Sequence, residues 1–309
     1  MTTALITHPA CILHEPPQGH PERPARLREV LKALDREEFR TLKRETAPEA
    51  TRDALARVHE PDFVDTVLEA LKEPGYVRFD SDTIASPGTR EAVLRAAGAA
   101  VRAVDMVVGG EVKNAFCAVR PPGHHATPNR AMGFCFFNNV AVGAQHARDA
   151  HGLKRIAVVD FDVHHGNGTQ DMFTPDANLF YGSTHQFPLY PGSGREDETG
   201  VAHNIVNAPL SPGAGGAEFR RAFESVILPA LRRFEPELVL ISAGFDAHRD
   251  DPLAQLRLVE SDYAWATEQL CAVAQSVCRG RVVSTLEGGY DLEATANSAA
   301  AHVGALMAA

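Results

Sequence analysis

Short apolar runs alternate with longer amphipathic stretches along the whole sequence, and this pattern constrains the fold more than any other feature. The predicted strands are residues 4–7, 114–119, 155–160, 179–183, 203–206, 238–242 and 281–286. The predicted helices are residues 24–34, 61–72, 87–108, 138–151, 216–234, 261–278 and 292–307. Such alternation is typical of a mostly parallel β-sheet flanked by helices on both faces. Because no linker or repeat divides the pattern, we predict a single three-layer α/β domain over residues 1–309.

Charge and composition exclude several classes of partner. The 309 residues include 30 basic and 40 acidic side chains, which give a formal net charge of −10. This balance argues against nucleic acid, whose binding needs clustered Lys and Arg. The sequence contains neither an apolar run long enough for a membrane span nor a secretory signal, so no membrane partner is expected. Its five cysteines form no CxxC pair and are odd in number, which favours a reducing, cytoplasmic location.

The stretch at residues 160–169 is the most unusual in the sequence. It follows the apolar run 155–159 and places Asp160, Asp162 and His164 at alternate positions. Because side chains alternate along a strand, all three can point to one side where the strand ends. Burying two carboxylates is costly unless a cation or hydrogen bonds compensate. The stretch therefore predicts a metal site.

Three further polar loops follow predicted strands. They occupy residues 120–126, 242–251 and 287–291. In open α/β sheets ligands bind beyond the carboxyl ends of the strands. Together with residues 160–169, these loops are expected to form one composite site.

Two adjacent histidines in the first of these loops are candidates for acid–base chemistry. His124 and His125 follow the predicted strand at residues 114–119. Histidine titrates near neutrality, and a neighbouring acceptor fixes its ring and raises its basicity. Asp160 and Asn167 are available as such partners.

Three other side chains satisfy the requirements of a catalytic zinc ion. Such an ion takes three protein ligands and keeps one position for water. Asp162, His164 and Asp246 provide these ligands without using the histidine pair. Tyr290 follows two glycines and is a candidate hydrogen-bond donor to a developing oxyanion.

Taken together, these segments resemble the histone deacetylase family, most nearly its class II branch and the prokaryotic deacetylase-like amidohydrolases. The matching segments occur in the family's order, at residues 20–24, 120–126, 133–139, 160–169, 190–194, 242–246 and 287–290. The resemblance implies an arginase-like α/β fold with a central parallel sheet. It also implies that Arg26 matches an arginine deep in the family's acetate-release cavity.

The resemblance implies two kinds of metal site. It makes Asp162, His164 and Asp246 the ligands of one zinc ion per chain. It also implies a structural or regulatory potassium ion, at a site formed by Asp160, Asp162, His164, Ser183 and Thr184.

The resemblance assigns catalytic roles residue by residue. His125 corresponds to the general base and acid, with Asn167 at the position of its orienting partner. His124 corresponds to a second, mainly electrostatic histidine, which Asp160 buttresses. Tyr290 matches the tyrosine that polarises the amide carbonyl.

The resemblance also outlines a channel for an acylated lysine. Phe134 and Tyr190 match its two aromatic walls, although the second is usually phenylalanine in the family. Gly133 would offer its carbonyl to the substrate amide. Asp82, or alternatively Ser81, would hold the substrate backbone.

The predicted activity is zinc-dependent removal of acetyl or other acyl groups from the lysine ε-amine of proteins or peptides, with inhibition by hydroxamates. An acetylpolyamine deacetylase, whose substrate is a small acetylated amine, is the main alternative. Leu253 favours lysine, because the polyamine-specific relative has glutamate there. A catalytically silent acyl-lysine-binding protein is a third possibility, which the presence of Tyr290 disfavours. Arginase chemistry is not expected, because Gly166 and His248 occupy positions where an arginase would have aspartates.

Overall fold

A computed structural model describes residues 2–309. The strands are β1 Thr3–Thr7, β2 Lys43–Thr46, β3 Val77–Arg78, β4 Ile84–Ala85, β5 Asn114–Cys117, β6 Ile156–Asp160, β7 Leu179–Gln186, β8 Ile205–Leu210, β9 Leu238–Ala243 and β10 Val282–Leu286. The helices are α1 Pro24–Ala33, α2 Arg52–Ala56, α3 Pro61–Ala70, α4 Thr89–Val108, α5 Asn139–His151, α6 Asn167–Phe173, α7 Gly216–Ala222, α8 Leu228–Phe234, α9 Glu260–Cys278 and α10 Leu292–Ala308. Short 3-10 turns lie at Pro9–Ile12 and Glu37–Phe39.

Eight of the strands form one parallel sheet. Their order is β2-β1-β5-β10-β9-β6-β7-β8, and β3 pairs separately with β4 in an antiparallel hairpin. Helices α4 and α5 pack together over one face, whereas α1, α9 and α10 pack together over the other. The predicted fold, a mostly parallel sheet between two helical layers, is confirmed.

The centre of the sheet is buried on both faces, and this fixes the strand ends in place. Every residue of β5, β6, β9 and β10 is buried. These strands are rich in Val, Ile, Leu and Ala, as parallel strands covered on both sides must be. His302 of α10 reaches into this core, where its ring nitrogens bond the Ser284 and Thr267 hydroxyls at 2.8 and 2.6 Å.

Several observed elements differ from the predicted ones: α2, β3 and β4 were not predicted, and β8 covers Ile205–Leu210 rather than residues 203–206. Four other departures have a clear physical reason. Strand β7 continues three residues beyond its predicted end, because these polar residues pair with β8 and are buried. Strand β2 was not predicted, since its four residues are polar and it lies at the sheet edge. The predicted helix 216–234 contains a π-helical turn at Phe223–Ile227. Pro229 follows that turn and has no N–H to donate to the preceding turn.

The fourth departure concerns the glycine-rich stretch after β6. Helix α6 begins at Asn167, within residues that were expected to form only a loop. Its first turn is fixed by contacts to the histidine loop, since the Gly168 and Thr169 amides both donate to the His124 carbonyl, at 3.0 and 3.2 Å. Within residues 2–309, no helix has both the length and the apolar composition required to span a bilayer.

Candidate active site

The four polar loops lie side by side because they follow four neighbouring strands. In the sheet order these strands are β5, β10, β9 and β6. Their carboxyl ends lead into the loops at residues 120–126, 287–291, 242–251 and 160–169, respectively. The sheet therefore brings together side chains that are up to 166 positions apart, as from His124 to Tyr290.

The three predicted zinc ligands converge at the base of this loop cluster. Asp162, His164 and Asp246 are buried, and their potential ligand atoms all lie within 4.8 Å of one another. Nδ1 of His164 lies 3.2 Å from Asp162 Oδ1 and 3.1 Å from Asp246 Oδ2. Burial opposes the charge on His164, but hydrogen bonds to both carboxylates outweigh it and raise the pKa of His164 to about 10. The two buried carboxylates thus favour a positive charge among these atoms, and the donor set of two carboxylates and one imidazole fits zinc.

Backbone amides and glycines hold the two carboxylates in place. The Gly288 amide donates to Asp162 Oδ2 at 2.8 Å, and the Val163 amide donates to Asp246 Oδ1 at 2.8 Å. A Cβ atom at Gly288 would overlap Oδ2 of Asp246, and a Cβ atom at Gly244 would overlap Oδ2 of Asp162. Only glycine permits this close approach, so the positions of the carboxylates depend on these two glycines.

His125 has the environment of a general base. Its Nδ1 lies 2.8 Å from Oδ1 of Asn167, an acceptor that fixes the proton on Nδ1 and leaves the Nε2 lone pair free. Burial lowers the pKa of His125 well below its usual value, and the positive charges of His124 and His164 lower it further. The ring is therefore neutral at physiological pH and able to accept a proton.

His124 has the opposite environment, although the two rings are only 4.1 Å apart between centroids. Its Nδ1 lies 2.9 Å from Asp160 Oδ2, which also accepts a hydrogen bond from the Tyr181 hydroxyl at 3.1 Å. Burial opposes the charged ring, but the charges of Asp160 and Asp162 raise the pKa of His124 to about 10. The pair therefore combines a neutral ring with a cationic one, which is how neighbouring groups acquire different roles.

Tyr290 is held from its backbone and from one face of its ring. Its amide donates to Asp251 Oδ2 at 2.7 Å, and the Arg26 guanidinium carbon lies 4.7 Å from the ring centroid. Burial raises the pKa of Tyr290 well above its usual value, which the charge of Arg26 offsets only in part. The hydroxyl consequently remains protonated and can donate a hydrogen bond.

A cavity of about 230 Å³ leads to these groups from the surface. Its lining contains all the predicted substrate-binding residues, two catalytic candidates, one predicted zinc ligand and Leu189. The lining residues are Asp82, His125, Gly133, Phe134, His164, Leu189, Tyr190, Leu253 and Tyr290. The Phe134 ring lies 5.9 Å from Tyr290, and the Tyr190 ring lies 5.1 Å from His125, as centroid distances. Tyr190 is 40% exposed, which marks the mouth of the channel. A larger surface hollow of about 700 Å³ lies beside β8, and none of the predicted site residues lines it.

Asp160, Ser183 and Thr184 of the predicted potassium site lie on the adjacent strands β6 and β7, and Asp162 and His164 lie in the loop that follows β6. Asp160 of β6 pairs in register with Ser183 of β7. The Ser183 hydroxyl lies 2.8 Å from His185 Nδ1, whereas the buried Thr184 hydroxyl has no hydrogen-bond partner among the described residues. The oxygen-rich surroundings suit a hard cation. The potassium site remains a prediction.

A buried charge network lies behind the site, and the sequence predicted only the location of its member Arg26. Glu22 accepts hydrogen bonds from Arg26 Nη1 at 2.9 Å and Arg120 Nη2 at 2.6 Å, with all three side chains fully buried. Glu287 accepts the Gly123 and His124 amides at 2.6 and 3.2 Å, so it positions the histidine loop. These acids lie within the matching motifs. Apart from Arg26, their basic and amide partners are 98 to 164 positions away in the sequence.

Comparisons with known proteins find a matching family model and several similar proteins. A family model described as "Histone deacetylase domain" matches residues 20–306. "Histone deacetylase 14, chloroplastic" of Arabidopsis thaliana is 39% identical over 94% of this chain and 73% of its own length. "Histone deacetylase-like amidohydrolase" of Pseudomonas aeruginosa is 39% identical over 88% of this chain and 73% of its own length. "Probable deacetylase" of Archaeoglobus fulgidus is 37% identical over 95% of this chain and 82% of its own length.

A solved structure matches the fold over nearly the whole chain. The crystal structure titled "Crystal Structure of HDA15 HD domain" superposes with a TM-score of 0.94 at 38% identity, covering 99% of this chain and 88% of that one. The fold and the loop cluster thus define a hydrolase of the arginase/deacetylase fold that acts on amides. The chain belongs to the histone deacetylase family.

Proposed function

We propose that this protein is a zinc-dependent deacetylase whose substrate is an acetylated lysine side chain in a protein or peptide. One observation carries the proposal: the cluster of Asp162, His164 and Asp246 lies at the base of a narrow aromatic channel, beside one neutral and one cationic histidine. This is the set of groups that hydrolysis of an unactivated amide requires.

Asp162, His164 and Asp246 would hold the zinc ion. When bound, zinc supplies Lewis acidity, which activates water and polarises the substrate carbonyl. All other chemistry is assigned to the side chains of this chain.

His125 accepts the proton of the attacking water at Nε2 and then delivers it to the leaving lysine amine. Its lowered pKa keeps it in the neutral form that the first step requires. Asn167 keeps the proton on Nδ1, so Nε2 faces the reacting atoms. His124, held as a cation by Asp160, stabilises the negative charge that develops beside it.

Tyr290 donates a hydrogen bond to the developing oxyanion. A single donor of this kind contributes about 3–4 kcal/mol in other enzymes. The raised pKa of Tyr290 keeps its hydroxyl protonated throughout. Arg26 and Asp251 hold the ring and the backbone of this residue, respectively.

The channel fits a long aliphatic amine better than a bulky one. Phe134 and Tyr190 would contact the four-methylene stem of lysine between apolar faces. The position of Phe134 is fixed, because its amide donates to the Thr83 hydroxyl at 3.0 Å. Asp82 lies at the rim and is available to accept a hydrogen bond from the substrate backbone.

The lining of the channel favours lysine over a polyamine. Leu253 lines the cavity and offers no charge to a second ammonium group. Asp251 is close in sequence, but it is buried and its carboxylate accepts the amides of Leu253 and Tyr290, at 2.9 and 2.7 Å. The carboxylate of Asp251 is therefore already hydrogen-bonded within the protein and is not available to a cationic substrate.

A side-by-side kinetic comparison tests the proposal. The zinc-loaded protein would be assayed with acetyl-lysine peptides and with N-acetylated polyamines, and kcat/KM would be compared. We expect the peptides to be favoured. A kcat/KM ratio that strongly favours polyamines would overturn the proposed substrate but leave the proposed hydrolytic mechanism intact. Tight peptide binding without turnover would instead identify a silent acyl-lysine-binding protein.

A further inference from the structure

A second cluster of metal-binding side chains lies far from the channel. Asp105 of α4 faces His146 and His151 of α5. Nε2 of each histidine lies 2.7 Å from the same carboxylate oxygen, Asp105 Oδ1. The potential ligand atoms of the three residues lie within 4.8 Å of one another, as do those of the catalytic cluster.

The two helices place this cluster near the amino ends of the strands, whereas the catalytic loops lie at the carboxyl ends. Helix α5 begins at Asn139, directly after the histidine and aromatic loops, and ends at His151. A rise of 1.5 Å per residue puts His151 about 18 Å along the helix axis from Asn139. Asp105 lies one turn before the end of α4, which leads towards the amino end of β5. The cluster is therefore separate from the proposed chemistry.

The charges of the cluster favour a cation. Among residues 2–309, no Lys or Arg nitrogen lies within 4 Å of the Asp105 carboxylate, and its ion-pair partners are His146 and His151. Each of these is charged only if protonated. A carboxylate with two imidazoles and no permanent counter-ion is a ligand set of the kind that binds zinc and related divalent transition metals.

Access and rigidity also suit a metal. The side chains of Asp105, His146 and His151 are 38%, 14% and 22% exposed, so an ion could enter from solvent and keep water at its remaining positions. The backbones are fixed, because α4 and α5 pack against each other along their lengths. A site built on two rigid helices needs little rearrangement to bind an ion.

We propose that Asp105, His146 and His151 form a second divalent-metal site that binds Zn²⁺ and joins the ends of α4 and α5. Bound metal stabilises the folded chain, since the unfolded chain does not hold these ligands together. The bound metal leaves turnover unchanged, because its ligands lie at the opposite end of the strands from the catalytic loops.

Metal counting on the tag-free holoenzyme tests this site. Equilibrium dialysis against Zn²⁺ at low micromolar concentration, followed by elemental analysis, should give two zinc ions per chain for the natural sequence. Asp105→Asn, which preserves size and removes the charge, and His146→Ala should each give one. His203→Gln alters an exposed histidine elsewhere and serves as the matched control, for which two ions are expected.

Thermal unfolding provides a second test of the site that does not depend on counting zinc ions. Added Zn²⁺ should raise the Tm of the natural holoenzyme by a few degrees, and this rise should be lost in Asp105→Asn while activity is retained. A holoenzyme that takes up no second zinc ion would overturn the proposal. Equal uptake by the natural chain and both variants would also overturn it. In either case the three residues form only a hydrogen-bonded triad, and the proposed catalytic function is unaffected.

Discussion

Oδ1 of Asn167 lies 2.8 Å from Nδ1 of His125, and this contact leaves Nε2 of the proposed general base without a competing hydrogen bond. Asn167 is the first residue of α6, whose initial turn is bonded through its amides to the carbonyl of His124. The orienting amide and the histidine pair therefore belong to one rigid unit. Its rigidity makes the contact testable by substitution.

We expect Asn167→Ala to lower kcat roughly 10-fold to 100-fold, as part of the contribution of general base catalysis. KM should change little, because Asn167 does not line the channel. Asn167→Asp preserves the acceptor but adds a negative charge, which favours the charged ring and raises the pKa of His125. The acid limb of the pH–rate profile should then move to higher pH than in the natural enzyme. An unchanged profile would show that Asn167 does not act through His125.

Tyr290→Phe should lower kcat by roughly 100-fold to 1,000-fold, the usual cost of removing one oxyanion donor. The loss of kcat should come from the missing hydroxyl alone, since the ring can still contact Arg26 and Phe134. Bound zinc, measured by elemental analysis, should be unchanged. Loss of zinc together with activity would mean that the hydroxyl supports the metal cluster instead.

Gly288→Ala should abolish zinc binding at the catalytic cluster. Its Cβ would overlap Asp246 Oδ2 and lie 2.6 Å from Asp162 Oδ2, so both predicted ligands would have to move. Zinc content and Tm would be measured together. Gly304→Ala is the matched control, because a Cβ at this position in α10 meets nothing within 4 Å. The control should retain zinc and gain slightly in stability. Full zinc content in Gly288→Ala would contradict the ligand geometry.

Acidification should destabilise the fold through His59. This residue is 2% exposed, and its ring nitrogens bond the Thr127 carbonyl and the Asn138 amide, each at 2.9 Å. Burial lowers the pKa of His59 from 6.5 to about 4, despite the bond to Thr127. The unfolded chain therefore binds the proton first, so the stability present above pH 6.5 is lost as the pH falls towards about 4.

Urea unfolding of His59→Gln measures this contribution. Between about pH 8 and about pH 5, the natural chain should lose roughly 2 kcal/mol more unfolding free energy than the variant, from the difference in pKa. The exposed His203→Gln variant should show the natural pH dependence. The same dependence in all three proteins would mean that His59 is not the neutral buried group described above.

The sequence predicted the sheet and the position of the loop cluster because both depend on local pattern. Apolar runs marked the strands, and the rule that ligands bind at strand ends brought Asp162 and Asp246 together. Resemblance to the family added the separate roles of His124 and His125. In contrast, polar β2 at the sheet edge carries no apolar pattern and was missed.

The buried hydrogen bonds and ion pairs behind the site could not be predicted, because they join residues that are far apart in the sequence. Glu22 and Arg120 are fully buried and form an ion pair across 98 positions of sequence. Only the fold shows that the two charges compensate each other. The same holds for Glu287, whose carboxylate accepts amides from the histidine loop. Asp251 belongs to an acidic stretch of the sequence, and only the structure shows that its carboxylate accepts backbone amides.

Acetate release from an acetyl-lysine peptide, measured before chelation, after chelation and after zinc reloading, tests the central claim most directly. We expect turnover to be lost with the metal and restored by one equivalent of zinc at the catalytic cluster. Asp246→Ala, treated identically, should bind no zinc at that cluster and show no restored turnover. Acetate release that persists in the fully chelated protein, or that returns in Asp246→Ala, would contradict a zinc-dependent deacetylase built on Asp162, His164 and Asp246.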